Sequence, residues 1–218
     1  STLKDDDYIK NLFIASTHDV IMFMTSEGRA YWLKVHEIPE GSRIAKGTHI
    51  RSLLNITANE LITATVALKG FSDDTYLFIA TAKGTVKKVP TSDFVHAKIR
   101  GVVAINLRSD DKVIAAILTS GKSDIFIVSR HGKGLRFAED EVRPMGRVAQ
   151  GVGGLRLLAG DEVAGVIETN QLGQALLLSE NGYGKRLSME DINPHGRNTQ
   201  GRWIFDCSEK TGEVIGVV

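Results

Sequence analysis

The sequence predicts an all-β chain, a propeller-type array of about four four-stranded blades, and three observations carry that prediction. Glycine recurs in two series with a period near 50 residues, and a short apolar stretch of strand length precedes every glycine of the first series. No helical 3.6-residue periodicity runs beyond about ten residues anywhere in the chain. Four short strands per unit at this period mark blades that cannot bury their faces alone and must stack on their neighbours.

Taken in chain order, the first element is a strand over Tyr8–Ala15, so the chain opens inside a unit. The apolar stretches follow at 21–24, 77–80, 125–128 and 175–178, each followed by a hydroxyl residue: Thr25, Thr81, Ser129 and Ser179. Three residues after each hydroxyl stands a glycine, Gly28, Gly84, Gly132 and Gly182, where a tight strand-to-strand turn needs the positive φ that a side chain resists. In the second unit the strands are expected at Leu61–Ala67, Thr75–Thr81, Thr85–Val89 and Val102–Leu107. The second glycine series is Gly47, Gly101, Gly151 and Gly201. Five residues past each first glycine the side chain is apolar (Leu33, Val89, Phe137, Leu187), and four residues later comes an acid (Glu37, Asp93, Glu141, Asp191). The acid column reads as structural, satisfying turn backbone donors or pairing with an arginine. Leu53, Leu107 and Leu157 share a column with Cys207, which therefore reads as an inert core position. The whole chain is one repeat domain, with repeats at about 1–54, 55–107, 108–157 and 158–207 and the start of another over 208–218. Both ends are expected to be cut within a larger array.

Composition narrows the function classes. The chain has 218 residues, 42% hydrophobic and 24% charged, which suits a packed soluble domain. The longest apolar run, Val113–Leu118, falls far short of the roughly 20 residues of a membrane helix, and the expectation is a cytoplasmic protein with no membrane partner. One cysteine forms no internal disulfide, and the six histidines fall in unrelated columns without metal-ligand spacing. Gly121-Lys122-Ser123 ends like a phosphate loop but lies in a strand-to-strand turn, and Gly151-Val152-Gly153-Gly154 lacks the third glycine of a dinucleotide site. Ser129 near His131 belongs to the repeated hydroxyl column. No catalytic constellation remains, and the domain is expected to use no cofactor.

Charge is segregated although the net charge is only +1. Between the two glycines of each repeat lie 15 Lys and Arg against 8 acids, so these segments sum to +7 and the rest to −6. Four residues past the first glycine stand Trp32, Lys88, Arg136 and Arg186, on the strand face opposite the apolar column. Four before the second glycine stand Arg43, Arg147 and Arg197, with Lys98 one residue later in its shorter repeat; Lys46 and Arg100 precede their glycines directly. Cations recurring at one blade position make a basic belt, which suits a polyanion with evenly spaced charge such as duplex DNA. Exchange of Lys88 and Arg136 for glutamate is accordingly expected to lower DNA affinity and flatten its salt dependence.

The stretches Ser16-Thr17-His18-Asp19, 38–47, 143–152 and Gly182-Tyr183-Gly184-Lys185-Arg186 resemble the C-terminal domain of the DNA gyrase A subunit, and the resemblance covers essentially the whole chain. It implies a β-pinwheel, a propeller-like ring of usually six blades that exchange strands and wrap DNA on a basic rim in support of negative supercoiling. The rim role then falls on Arg43, Lys46, Lys87, Lys88, Lys98, Arg100, Arg136, Arg147, Lys185, Arg186 and Arg197. The implied partners are duplex DNA, the remaining regions of gyrase A, and gyrase B in an A2B2 enzyme. The catalytic tyrosine and the ATP- and magnesium-using regions of that enzyme lie elsewhere, so this domain by itself is not expected to be an enzyme. The family's Gln-basic-Arg-Gly-Gly-basic-Gly loop box is matched by no loop here; 146–151 and 196–201 keep only its arginine and closing glycine. Repeat phase places the box immediately before Ser1, and binding should survive its loss better than wrapping. The A-type subunit of topoisomerase IV shares the fold and stands as the alternative, as does a protein-interaction propeller.

Overall fold

The computed structural model describes Leu12, residues 14–42 and residues 45–218. Among these, every regular element is a strand or a short 3-10 turn. The repeated apolar stretches become the central strands β1 (Val20–Thr25), β4 (Tyr76–Thr81), β8 (Asp124–Ser129) and β12 (Gln174–Ser179). Each turns back into an antiparallel partner: β2 (Arg29–Lys34), β5 (Thr85–Pro90), β9 (Lys133–Ala138) and β13 (Gly184–Ser188). Flanking the central strand on its other edge are β3 (Ile62–Leu68), β7 (Val113–Thr119), β11 (Val163–Thr169) and β15 (Val214–Val217). Two-residue strands complete three of the sheets: β6 (Val102–Val103) on β2, β10 (Val152–Gly153) on β5 and β14 (Arg202–Trp203) on β9. The result is three four-stranded sheets and a fourth with three strands among the described residues. The strand expected at Tyr8–Ala15 lies mostly outside the described residues, and Leu12, Ile14 and Ala15 are not strand.

Strands form at all four places expected in the second repeat, though that expected at Val102–Leu107 is only Val102–Val103, and they do not form one sheet. Ile62–Leu68 pairs with β1 and Val102–Val103 with β2, both in the first sheet. Repeat boundaries at 54, 107, 157 and 207 therefore cut between a hairpin and the flanking strand it recruits. Periodicity reports how often a strand recurs, whereas the sheet it joins depends on where the intervening loop delivers it.

Hydroxyl and glycine columns have one physical explanation. The backbone N–H groups of Arg29, Thr85, Lys133 and Tyr183 each donate to the hydroxyl four residues earlier, at 3.1–3.3 Å. Gly28, Gly84, Gly132 and Gly182 close the turn with φ between 76° and 90°. In the first three blades that glycine's carbonyl also accepts two N–H groups from the arm of the next repeat: Ala104 and Ile105 on Gly28, Gly154 and Leu155 on Gly84, Ile204 and Phe205 on Gly132. The exchanged arm is thus latched to the hairpin turn of the preceding blade. A methyl group at Gly84 would overlap the Leu155 carbonyl oxygen, whereas one at Gly182 would meet nothing. Both positions carry the cost of a positive φ. Gly84→Ala is expected to lower stability by clearly more than Gly182→Ala in urea unfolding; equal losses would mean that the latch contributes nothing.

Successive sheets stack face to face, with β3, β7, β11 and β15 packed on one another at the inner edge. β1, β4 and β8 are therefore buried on both faces and read as continuous apolar runs, whereas β12 is buried on one face only and leaves Leu176 and Leu178 exposed. Leu77 and Ile79 of β4 pack with Met22 and Met24 of the first sheet, while Phe78 and Ala80 pack with Ile125 and Ile127 of the third. Burying side chains of this size contributes about 1.5–3 kcal/mol each. Away from the inner edge, the outer rim is made of β6, β10 and β14 together with the loops leading into them.

Candidate nucleic-acid interface

The rim loops run from the 3-10 turn of each repeat to its second glycine. Lys46, Lys98 and Arg100 lie exposed on them, and none makes an ion pair among the described residues. Arg147 is half-buried on the third loop. Arg197, also half-buried, bridges two loops: its Nε donates to the Glu141 carbonyl at 3.0 Å and its Nη1 to the Gly153 carbonyl at 2.9 Å. Lys185 and Arg186 stand exposed on β13, the outermost strand of the fourth sheet. Arg43 lies outside the described residues.

Three of the sequence-assigned rim cations are in the interior instead. Lys87 is fully buried, and its Nζ donates to the carbonyl oxygens of Ala104 (2.8 Å), Ala149 (2.9 Å) and Arg147. Burial pushes its ammonium down to about 8, opposed by the charge of Asp93. Lys88 is buried, donates to the Glu139 carbonyl at 3.2 Å, pairs with the Glu139 carboxylate at 3.7 Å and lies over the Tyr76 ring. Arg136 is 4% exposed; Nε and Nη2 hold Asp124, while Nη1 donates to the carbonyls of Met189 (2.7 Å) and Ile192 (3.1 Å). The double glutamate exchange at Lys88 and Arg136 therefore tests the fold rather than a DNA contact.

The physical reason lies in the stacking. In the first three blades the face opposite the apolar column does not meet solvent; it meets the next blade. Trp32 Nε1 donates to the Phe94 carbonyl at 2.9 Å, Lys88 to Glu139, and Arg136 to Met189 and Ile192. In each case the acceptor belongs to the 3-10 turn of the following repeat or closes it: Thr91–Phe94, Glu139–Glu141 and Met189–Asp191. In the first three hairpins the column is a row of long donors that tie the hairpin to the next blade's turn. That Trp32 shares the column with three cations was the available clue: the residues have a reaching donor in common, not a charge.

The acid column is structural at two positions. Glu37 accepts the Lys34 backbone N–H at 2.7 Å, and Glu141 accepts that of Arg197 at 3.0 Å. Cys207 is half-buried against the core between the third and fourth sheets, and burial pushes its thiol pKa up, away from the reactive thiolate. Column reasoning missed Arg143 and Arg202, both exposed on the rim. Each occupies a position that is not basic in the other repeats, so no register marked it.

An all-β ring segment of stacked, strand-exchanging blades with cations along its outer loops defines a β-pinwheel repeat domain. The model of the family described as DNA gyrase C-terminal domain, beta-propeller, matches residues 19–69, 75–120, 123–170 and 174–218, and the chain belongs to that family. These segments keep each hairpin with its inner strand, as the sheets do. The chain is 49% identical over 147 residues to the DNA gyrase A protein of Treponema pallidum (strain Nichols), covering 67% of this chain and 18% of that protein. It is 44% identical over 150 residues to the DNA gyrase A protein of Klebsiella oxytoca, covering 69% and 17%. The chain thus spans under a fifth of the length of these relatives. A solved DNA gyrase A C-terminal domain superposes with a TM-score of 0.80 at 29% identity, over 94% of this chain and 66% of that one. The C-terminal domain of DNA topoisomerase IV superposes at 0.69 and 23% identity, over 100% and 84%, a likeness of fold. Among the described residues no helix is long and apolar enough to cross a membrane.

Proposed function

We propose that this domain binds duplex DNA without sequence preference across its outer rim and bends it around the blade array. The observation that carries the reading is the row of cations on the rim loops of successive blades, in a chain of the gyrase family: exposed Lys46, Lys98 and Arg100, then half-buried Arg147. Spaced cations on a rigid curved edge neutralise phosphates and favour a bent path, with affinity that falls steeply with salt. In its parent protein the domain works with the remaining gyrase A regions and with gyrase B, presenting a wrapped segment so that strand passage introduces negative supercoils. Its own part is positional and non-catalytic, and ATP and magnesium act elsewhere in that assembly.

Ligation of nicked circular DNA at rising protein concentration tests this reading. A graded shift in linking number of the products is expected, together with salt-sensitive binding to linear duplex. Binding without a shift would reduce the proposal to DNA holding; loss of both would favour a protein-interaction propeller.

A further inference from the structure

We propose that Trp203 is a wedge residue of the rim, packing its indole into a base step of bent duplex DNA while Lys133 and Arg202 hold the flanking phosphates. The inference rests on the DNA-binding reading above and names the contact that reading lacks. Trp203 belongs to β14, the outermost strand of the third sheet, where it faces Lys133 across the pairing. Its side chain is 62% exposed, and the Lys133 Nζ lies 4.9 Å from its ring centroid. That contact orients the ring on one side without covering it.

The blade architecture does not call for an aromatic here. The equivalent pairs in the other sheets are Arg29 with Val103 and Thr85 with Gly153. The arm is held by its backbone, through Ile204 and Phe205 on the Gly132 carbonyl, so the indole is free of any latching role. Beside it runs a groove of about 260 Å³ that Lys185 of the fourth sheet also lines. The Lys185 ammonium donates to the Ile204 carbonyl at 2.7 Å, fixing a second cation next to the ring. Arg202 precedes Trp203 and is exposed. On the opposite flank, Glu180 and Glu213 are taken up by Arg130, at 3.1 and 2.6 Å. Asp206 also lines the grooves beside the ring, but Lys133, Arg202 and Lys185 outnumber it there, and an exposed aromatic among cations matches a ligand with apolar faces framed by phosphates. Duplexes bent around proteins are commonly opened at a base step by an apolar wedge of this kind.

The chain has two tryptophans, and they separate cleanly as probes. Trp32 is 8% exposed and hydrogen-bonded to Phe94, so a soluble quencher reads Trp203. Binding of a labelled linear duplex is followed by anisotropy and, in parallel, by tryptophan emission with acrylamide. DNA is expected to quench Trp203 and shield it from acrylamide. Trp203→Ala, folded by circular dichroism, is expected to bind about tenfold more weakly with an unchanged salt slope, while Trp203→Phe keeps most of the affinity. Binding with Trp203 still open to acrylamide, or full affinity in Trp203→Ala, overturns the wedge and leaves the DNA-binding reading standing. No anisotropy change in the unaltered protein overturns both.

Discussion

Replacing Arg136 by methionine is expected to destabilise the domain by about 3 kcal/mol or more, the cost of breaking a buried ion pair from one side. The substitution strips Asp124 of its counter-charge and leaves the carbonyls of Met189 and Ile192 without their donor, in the seam between the third and fourth blades. Methionine fills much of the volume but satisfies none of those oxygens. Arg186 is the control, because it occupies the same column on an exposed face. Arg186→Met should stay within about 0.5 kcal/mol of the parent, as for a surface position. Urea unfolding of the two variants decides the matter. If both unfold alike and Arg136→Met instead loses DNA affinity with a shallower salt slope, the interior assignment is wrong.

The second large effect is expected on the rim. Exchange of Lys46, Lys98 and Arg100 for glutamine removes three exposed cations from two successive loops without touching a core contact. If each neutralises one phosphate, the slope of log affinity against log salt becomes shallower by roughly 2.7, and affinity near 0.1 M salt falls by roughly several hundred-fold. Stability should be unchanged, so binding isotherms at several salt concentrations report the interface alone. An unchanged slope would remove these loops from the DNA path.

These two experiments divide what a single column of basic residues had joined. Lys88, Arg136 and Arg186 are indistinguishable by spacing, yet two are interior donors and one is exposed. Lys98 and Arg100 are exposed because they lie in the short 3-10 turn leading into Gly101, where no strand face decides burial. Arg202 and Trp203 carried no register at all. Their exposed place on the rim comes from β14 pairing with β9, a strand of the preceding repeat, at the outer edge of the third sheet.

What the sequence by itself determined is the all-β repeat, its period, the hairpin turns and the family. Each rests on local chemistry: a hydroxyl that caps a turn, a glycine that takes positive φ, an apolar run of strand length. Only the tertiary structure decided which strands share a sheet and which cations face solvent. Strand exchange moves residues across roughly 70 positions in the chain, as in the pairing of Lys133 with Trp203, and stacking turns an outward strand face into a buried seam. Both are long-range outcomes that no window of neighbouring residues encodes. A lysine on a strand reads the same whether the next surface is water or the carbonyl oxygens of the following blade.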